Sequence, residues 1–130
     1  MHRKLQFHSV AVSFLEEIFG SKTDWPPFVK ELNGKSGVYV IRNKDDKRTL
    51  YVGESHTNRL KKTLLRHFQA WSGKTAGATY SRGSVEIAVI VTNKDRAVSI
   101  QNKLIDELEP RDNRISPATT RKEAKNENPF

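Results

Sequence analysis

Apolar residues recur at helical spacing over residues 7–19, where Phe7, Val10, Phe14, Leu15 and Ile18 fall on one stripe and Gly20 supplies a stop. The stretch "DWPPFVKELNG" predicts a turn into a short helix, since its second proline suits a first helical turn. Two β-rich runs, "GVYVIR" and "TLYVG", flank the polar "NKDDK" and predict a hairpin. Residues 57–71 then read as a helix with Leu60, Leu64, Phe68 and Trp71 on one stripe. After the polar, glycine-bearing "SGKTAGATYSRG" comes "SVEIAVIVT", a strand. The amphipathic "NKDRAVSIQNKLIDELEP" predicts a helix ended by Pro110.

This order predicts an α+β (mixed α/β) domain with a small, three-stranded, mainly antiparallel sheet flanked by helices. Residues 1–35 form an N-terminal helical extension in this reading and 36–115 the domain proper. The basic tail 116–130, "SPATTRKEAKNENPF", has almost no apolar side chains to bury and is expected to be disordered.

Charge narrows the partners. A chain of 130 residues has room for one modest core, and its formal net charge is +8 with a pI near 9.9. Such a balance favours polyanions, nucleic acid ahead of an anionic membrane surface, with simple solubility as the plainer alternative. There is no cysteine, which excludes disulfides, thiolate zinc sites and cysteine nucleophiles. The N-terminus begins with charge like a signal peptide, but Glu16 and Glu17 interrupt its apolar stretch, and no 18-residue apolar run occurs. No membrane association and a cytoplasmic location are the expectations. Oligomeric state stays open, a dimer included.

The candidate chemistry starts with two tyrosines. A hairpin centred on Asp45 would put Tyr39 directly opposite Tyr51, on the same face of the sheet. A cross-strand aromatic pair is the simple structural explanation. Gly37 and Gly53, each two residues from a tyrosine, favour a ligand instead, because glycine weakens a strand unless something must approach its backbone.

The following helix carries Arg59, Lys61, Lys62 and Arg66, and residues seven apart such as Arg59 and Arg66 project in similar directions. Arginine matches phosphate oxygens with a planar fork of donors, and Arg59 with Lys62 is expected to contact the nucleic-acid backbone. A solvated helix face explains the same charges. His56 lies where it could meet a phosphate, while Ser55 or Thr57 suits a helix cap. His67 borders an apolar stripe and is either an edge histidine or a catalytic one. Gln101 sits in the middle of the Ala97–Ile100–Leu104–Leu108 stripe, where a polar side chain must find a partner.

"GVY" at 37–39 and "YVG" at 51–53, followed by a basic helix with "RHF", a strand, and a helix running into "LIDELEPRDN", resemble the GIY-YIG nuclease family over about residues 36–115. That resemblance implies a metal-dependent DNA endonuclease using one divalent ion, Mg2+ or Mn2+. It implies Tyr39 as general base, Tyr51 as its partner on water or phosphate, an arginine on phosphate, His67 in support and Asn113 as a supporting terminal asparagine. Two positions depart from the family pattern. The family's arginine lies four residues before its histidine, where this chain has Thr63, leaving Arg59 and then Arg66 for that role. The metal-binding glutamate falls at Gln101, whose amide oxygen lacks the charge that holds magnesium. Glu54 is the one replacement carboxylate nearby. The chain is therefore either a nuclease disabled or relocated at its metal site, or a non-catalytic nucleic-acid-binding module of the same fold. A basic structural protein whose tyrosines are only core is the third reading.

Overall fold

β-branched and aromatic residues run through the three long strands, and a fourth, two-residue strand joins them at the edge. The computed structural model describes residues 5–11, 25–68 and 79–113. Strands β1 (His8–Ser9), β2 (Gly37–Asn43), β3 (Thr49–Ser55) and β4 (Val85–Val91) form an antiparallel sheet in the order β1-β4-β2-β3. Helices α1 (Pro27–Lys30), α2 (Leu60–Leu65) and α3 (Lys94–Leu108) flank it, with 3-10 turns at Arg66–Phe68 and Arg82–Ser84. The α+β class is observed, with four strands where three were expected.

The additional strand corrects the N-terminal helix expected from residue 7 onward. His8 pairs with Ile87 and Ser9 with Glu86. Val10 packs into the core on one face, while Phe7 packs against the cluster on the other. Positions i and i+3 share a helix face but lie on opposite faces of a strand, so their spacing does not decide between the two. The Arg42 guanidinium covers the Phe7 ring at 3.9 Å, and Arg82 Nε donates to the Val10 carbonyl at 2.7 Å, pinning the segment from both sides. The remainder of that expected helix, residues 12–19, lies outside the described residues. So do Trp71 and the tail 116–130.

Alternation along the strands divides the core in two. On one face Tyr39, Ile41, Tyr51, Val85 and Ile87 pack with Val29, Leu32, Leu60 and Leu64 from the α1 and α2 side. On the other, Val38, Val40, Val52, Ala88 and Ile90 pack against Ala97 and Leu104 of α3, with Ile100, Ile105 and Leu108 beside them. Helix α3 begins at Asn93, whose side chain accepts from Arg96 N at 3.0 Å, and ends at Glu109 in left-handed conformation before Pro110.

The hairpin register differs from the symmetric expectation. Tyr39 stands opposite Gly53 and Tyr51 opposite Ile41, and an extra residue on β3, Leu50, shifts the pairing so that Arg42 meets Thr49. A slip of two residues keeps every side chain on its face. The tyrosines are therefore still neighbours, diagonal rather than opposed, with ring centroids 6.2 Å apart.

Candidate active site

Tyr39 and Tyr51 project from adjacent strands toward α2, and the turn after α2 brings His67 onto them. Tyr39 Oη lies 2.8 Å from His67 Nε2. The His67 ring is 4.5 Å from that of Tyr51 and 5.5 Å from that of Tyr39, centroid to centroid. All three are buried. Burial first, and then the neighbouring Tyr51, raises the Tyr39 pKa well above its ordinary value of 10.0, while Arg66 pulls it down. A phenol held protonated can donate its hydrogen to His67 Nε2 in the tautomer that leaves that nitrogen bare. In this state Tyr39 is an acid partner to His67 rather than a ready phenolate.

The glycines have a different role from the one expected. A Cβ at Gly53 would collide with the Tyr39 phenol, and one at Gly37 with the Ile90 carbonyl. The groups that approach these bare backbones are the protein's own. Gly53 makes the space in which Tyr39 reaches His67.

Helix α2 is shorter than residues 57–71, and its start changes the placement of the arginines. Asn58 adopts a left-handed conformation, with its N–H donating to Ser36 Oγ at 3.0 Å and its side-chain oxygen accepting from that hydroxyl at 2.9 Å. Ser55 Oγ accepts from Arg59 N at 2.9 Å. These side-chain bonds hold residues 56–59 in a loop in competition with helix. Arg59 therefore precedes the helix, exposed, and the two-turn relation to Arg66 does not hold. Arg66, half-buried on the 3-10 turn beside His67, is the cation that acts on Tyr39. His56 and Lys62 are exposed, and His56 Nδ1 sits 3.1 Å from Glu54 Oε1.

Asn113 is buried and bonded twice to β3. Its Oδ1 accepts from Val52 N and its Nδ2 donates to Val52 O, each at 2.8 Å. It braces the strand that carries Tyr51. Gln101 is half-buried on α3, the helix packed against the sheet face opposite the tyrosines.

One residue of the cluster escaped the sequence reading. Tyr80 stacks near His67, with centroids 6.0 Å apart, and donates its hydroxyl to Asp112 Oδ2 at 2.8 Å. Nothing in its polar, glycine-bearing surroundings marks it. The one available signal was that an aromatic there has to be buried against something.

The GIY-YIG catalytic domain family matches residues 35–115, and the chain belongs to that family. Its members are endonucleases that act on DNA and generally use divalent metal ions, which gives this domain a nuclease-type function in general. No curated protein matches the chain. Among the described residues no helix is long and apolar enough to cross a membrane.

The donor set does not fit a resident divalent ion. Among the described residues no three His, Asp or Glu side chains converge. Gln101 offers only a neutral amide oxygen, and the Glu54 carboxylate is engaged by His56. Magnesium dehydrates reluctantly and is ordinarily held through at least one carboxylate.

Proposed function

We propose that this domain binds DNA by its phosphodiester backbone and retains the proton-transfer half of a nuclease site, with its hydrolytic capacity limited at position 101. The observation that carries the reading is the 2.8 Å contact between Tyr39 Oη and His67 Nε2, beside Tyr51 and Arg66. An attacking water would give its proton to Tyr39 Oη as the phenolic proton passes to His67 Nε2. Charge then ends on an imidazolium, which is accessible near neutral pH, whereas a free phenolate is not. Arg66, the cation coupled to Tyr39, takes the phosphate-clamping role ahead of Arg59. Both Arg59 and Lys62 are exposed and suit the DNA backbone further out. The dyad is enclosed in the free protein, so productive binding must expose it.

Residues 36–115 are the catalytic unit in this reading and 116–130 a basic tail that adds non-specific affinity. A hydrolysing form would need one Mg2+ or Mn2+ ion; the family pattern puts its carboxylate at position 101, which here lies on the helix across the sheet from Tyr39. The second reading, a non-catalytic DNA-binding module, is favoured by the absence of a carboxylate there. Plasmid nicking with either ion, comparing the chain with its Gln101→Glu and Tyr39→Phe variants, separates the two. Nicking that depends on Tyr39 supports the nuclease. DNA binding without nicking, both in the parent chain and in the Gln101→Glu variant, assigns the chain to the binding module.

A further inference from the structure

His67 sits on a three-residue 3-10 turn, an element with few hydrogen bonds of its own to fix a side chain. Contacts from outside the turn also bear on its position against Tyr39. Tyr80 supplies two of them. Its backbone N–H donates to the His67 carbonyl at 2.7 Å, and its ring lies beside the imidazole.

The far end of Tyr80 is anchored as well. Its hydroxyl donates to Asp112, and that carboxylate accepts a forked pair of bonds from Arg111, Nε to Oδ1 at 2.7 Å and Nη2 to Oδ2 at 2.9 Å. The Asp112 backbone N–H in turn donates to the Leu50 carbonyl of β3 at 2.8 Å. A tyrosine needed only to fill space would be served by its ring. Here the hydroxyl is committed to a carboxylate that is itself tied to the strand, so the ring cannot slide along the imidazole.

We propose that Tyr80, anchored by Asp112, is a positioning residue that sets the His67 imidazole against the Tyr39 hydroxyl. This rests on the reading of Tyr39 and His67 as the proton-transfer pair. It assigns a role to a side chain outside the two tyrosine half-motifs, the basic helix and the terminal asparagine.

The test is nitrogen NMR of the His67 ring in protein labelled at histidine, with Tyr39→Phe as the reference for a lost hydrogen bond. Tyr80→Phe should move the His67 ring-nitrogen signals most of the way toward that reference, with the backbone fingerprint elsewhere unchanged. Asp112→Ala should do the same. Asp112→Asn keeps an acceptor oxygen for the Tyr80 hydroxyl and should retain the parent signals, a rescue that loss of packing alone would not produce. Parent-like His67 signals in both Tyr80→Phe and Asp112→Ala overturn the proposal. Global unfolding of both overturns it too, since Tyr80 would then serve stability. If one unfolds, the other decides. DNA nicking is measured separately in the Gln101→Glu background. No cleavage there, with the His67 shifts as expected, would sink the nuclease reading and leave the positioning geometry standing.

Discussion

Gly53 faces Tyr39 across the β2–β3 ladder so closely that a single added methyl group would touch the phenol oxygen. The clash is with a ring held by burial on all sides, not with a flexible tip. Gly53→Ala should therefore push Tyr39 off His67 and destabilise the fold by about 1–3 kcal/mol, the usual cost of overpacking. Urea unfolding and the His67 ring signals check both effects. An alanine variant with parent stability and parent signals would show that the strands separate freely at this point.

DNA affinity should fall with salt at a log–log slope of about −0.9 for each phosphate neutralised. Arg66→Ala and Lys62→Ala should each reduce that slope by about one and weaken all sequences alike, because phosphate contacts carry no base information. Titrations at three or more salt concentrations measure this. A salt-independent affinity would remove nucleic acid as the partner.

Gln101→Glu should confer metal-dependent cleavage and tighter divalent-ion binding. Stabilisation of phosphoryl charge by a metal is worth several kcal/mol, and each ~1.4 kcal/mol is tenfold in rate, so a gain on the order of a thousandfold is expected. Calorimetry reads the ion and plasmid nicking reads the rate. Adding Tyr39→Phe should abolish the gain while leaving packing nearly intact. If the Gln101 chain already cuts efficiently, the ion is held elsewhere, and Glu54→Gln becomes the decisive variant.

Acid should act on the Tyr80 anchor. Burial alone would raise the Asp112 carboxyl, but hydrogen bonds from Arg111 and Tyr80, with the Arg111 charge, outweigh it and hold the group below its ordinary 3.8. A carboxylate depressed in the folded state contributes stability that is fully present above the unfolded value and is lost as pH falls through the folded one. The parent should lose stability more steeply than Asp112→Asn below about pH 4. Glu86, lowered mainly by its hydrogen bond from Arg42, adds to the same slope, so Glu86→Gln is the companion control. Parallel acid-unfolding curves for parent and Asp112→Asn would refute the assignment.

Strands β2, β3 and β4 and helix α3 were legible because each is long enough for its period to show. The faces of Tyr39 and Tyr51 were legible for the same reason, and survived a wrong register because the slip was even. The start of α2 was not. It depends on Ser36 and Ser55, remote in sequence from Asn58 and Arg59 or set against the helical pattern, bonding backbone groups that a helix would otherwise use. β1 was hidden because two paired residues carry no period at all. Tyr80 was hidden because its partners, His67 and Asp112, are supplied by the fold. Gln101 was conspicuous as a polar residue in an apolar stripe, but which sheet face α3 covers is a question only topology answers.

The exit from α3 also determines what β3 can meet. Arg111 N–H bonds to Thr49 O, Asp112 N–H to Leu50 O, and the Asn113 carboxamide takes both polar groups of Val52. Together they stand in for a missing neighbour strand along the outer border of the sheet. Exposed borders of this kind template pairing with a second chain, which leads to swapped dimers or fibrils. Here the Thr49–Val52 stretch of that border is occupied by three successive residues of the same chain, which takes those backbone groups away from any second copy.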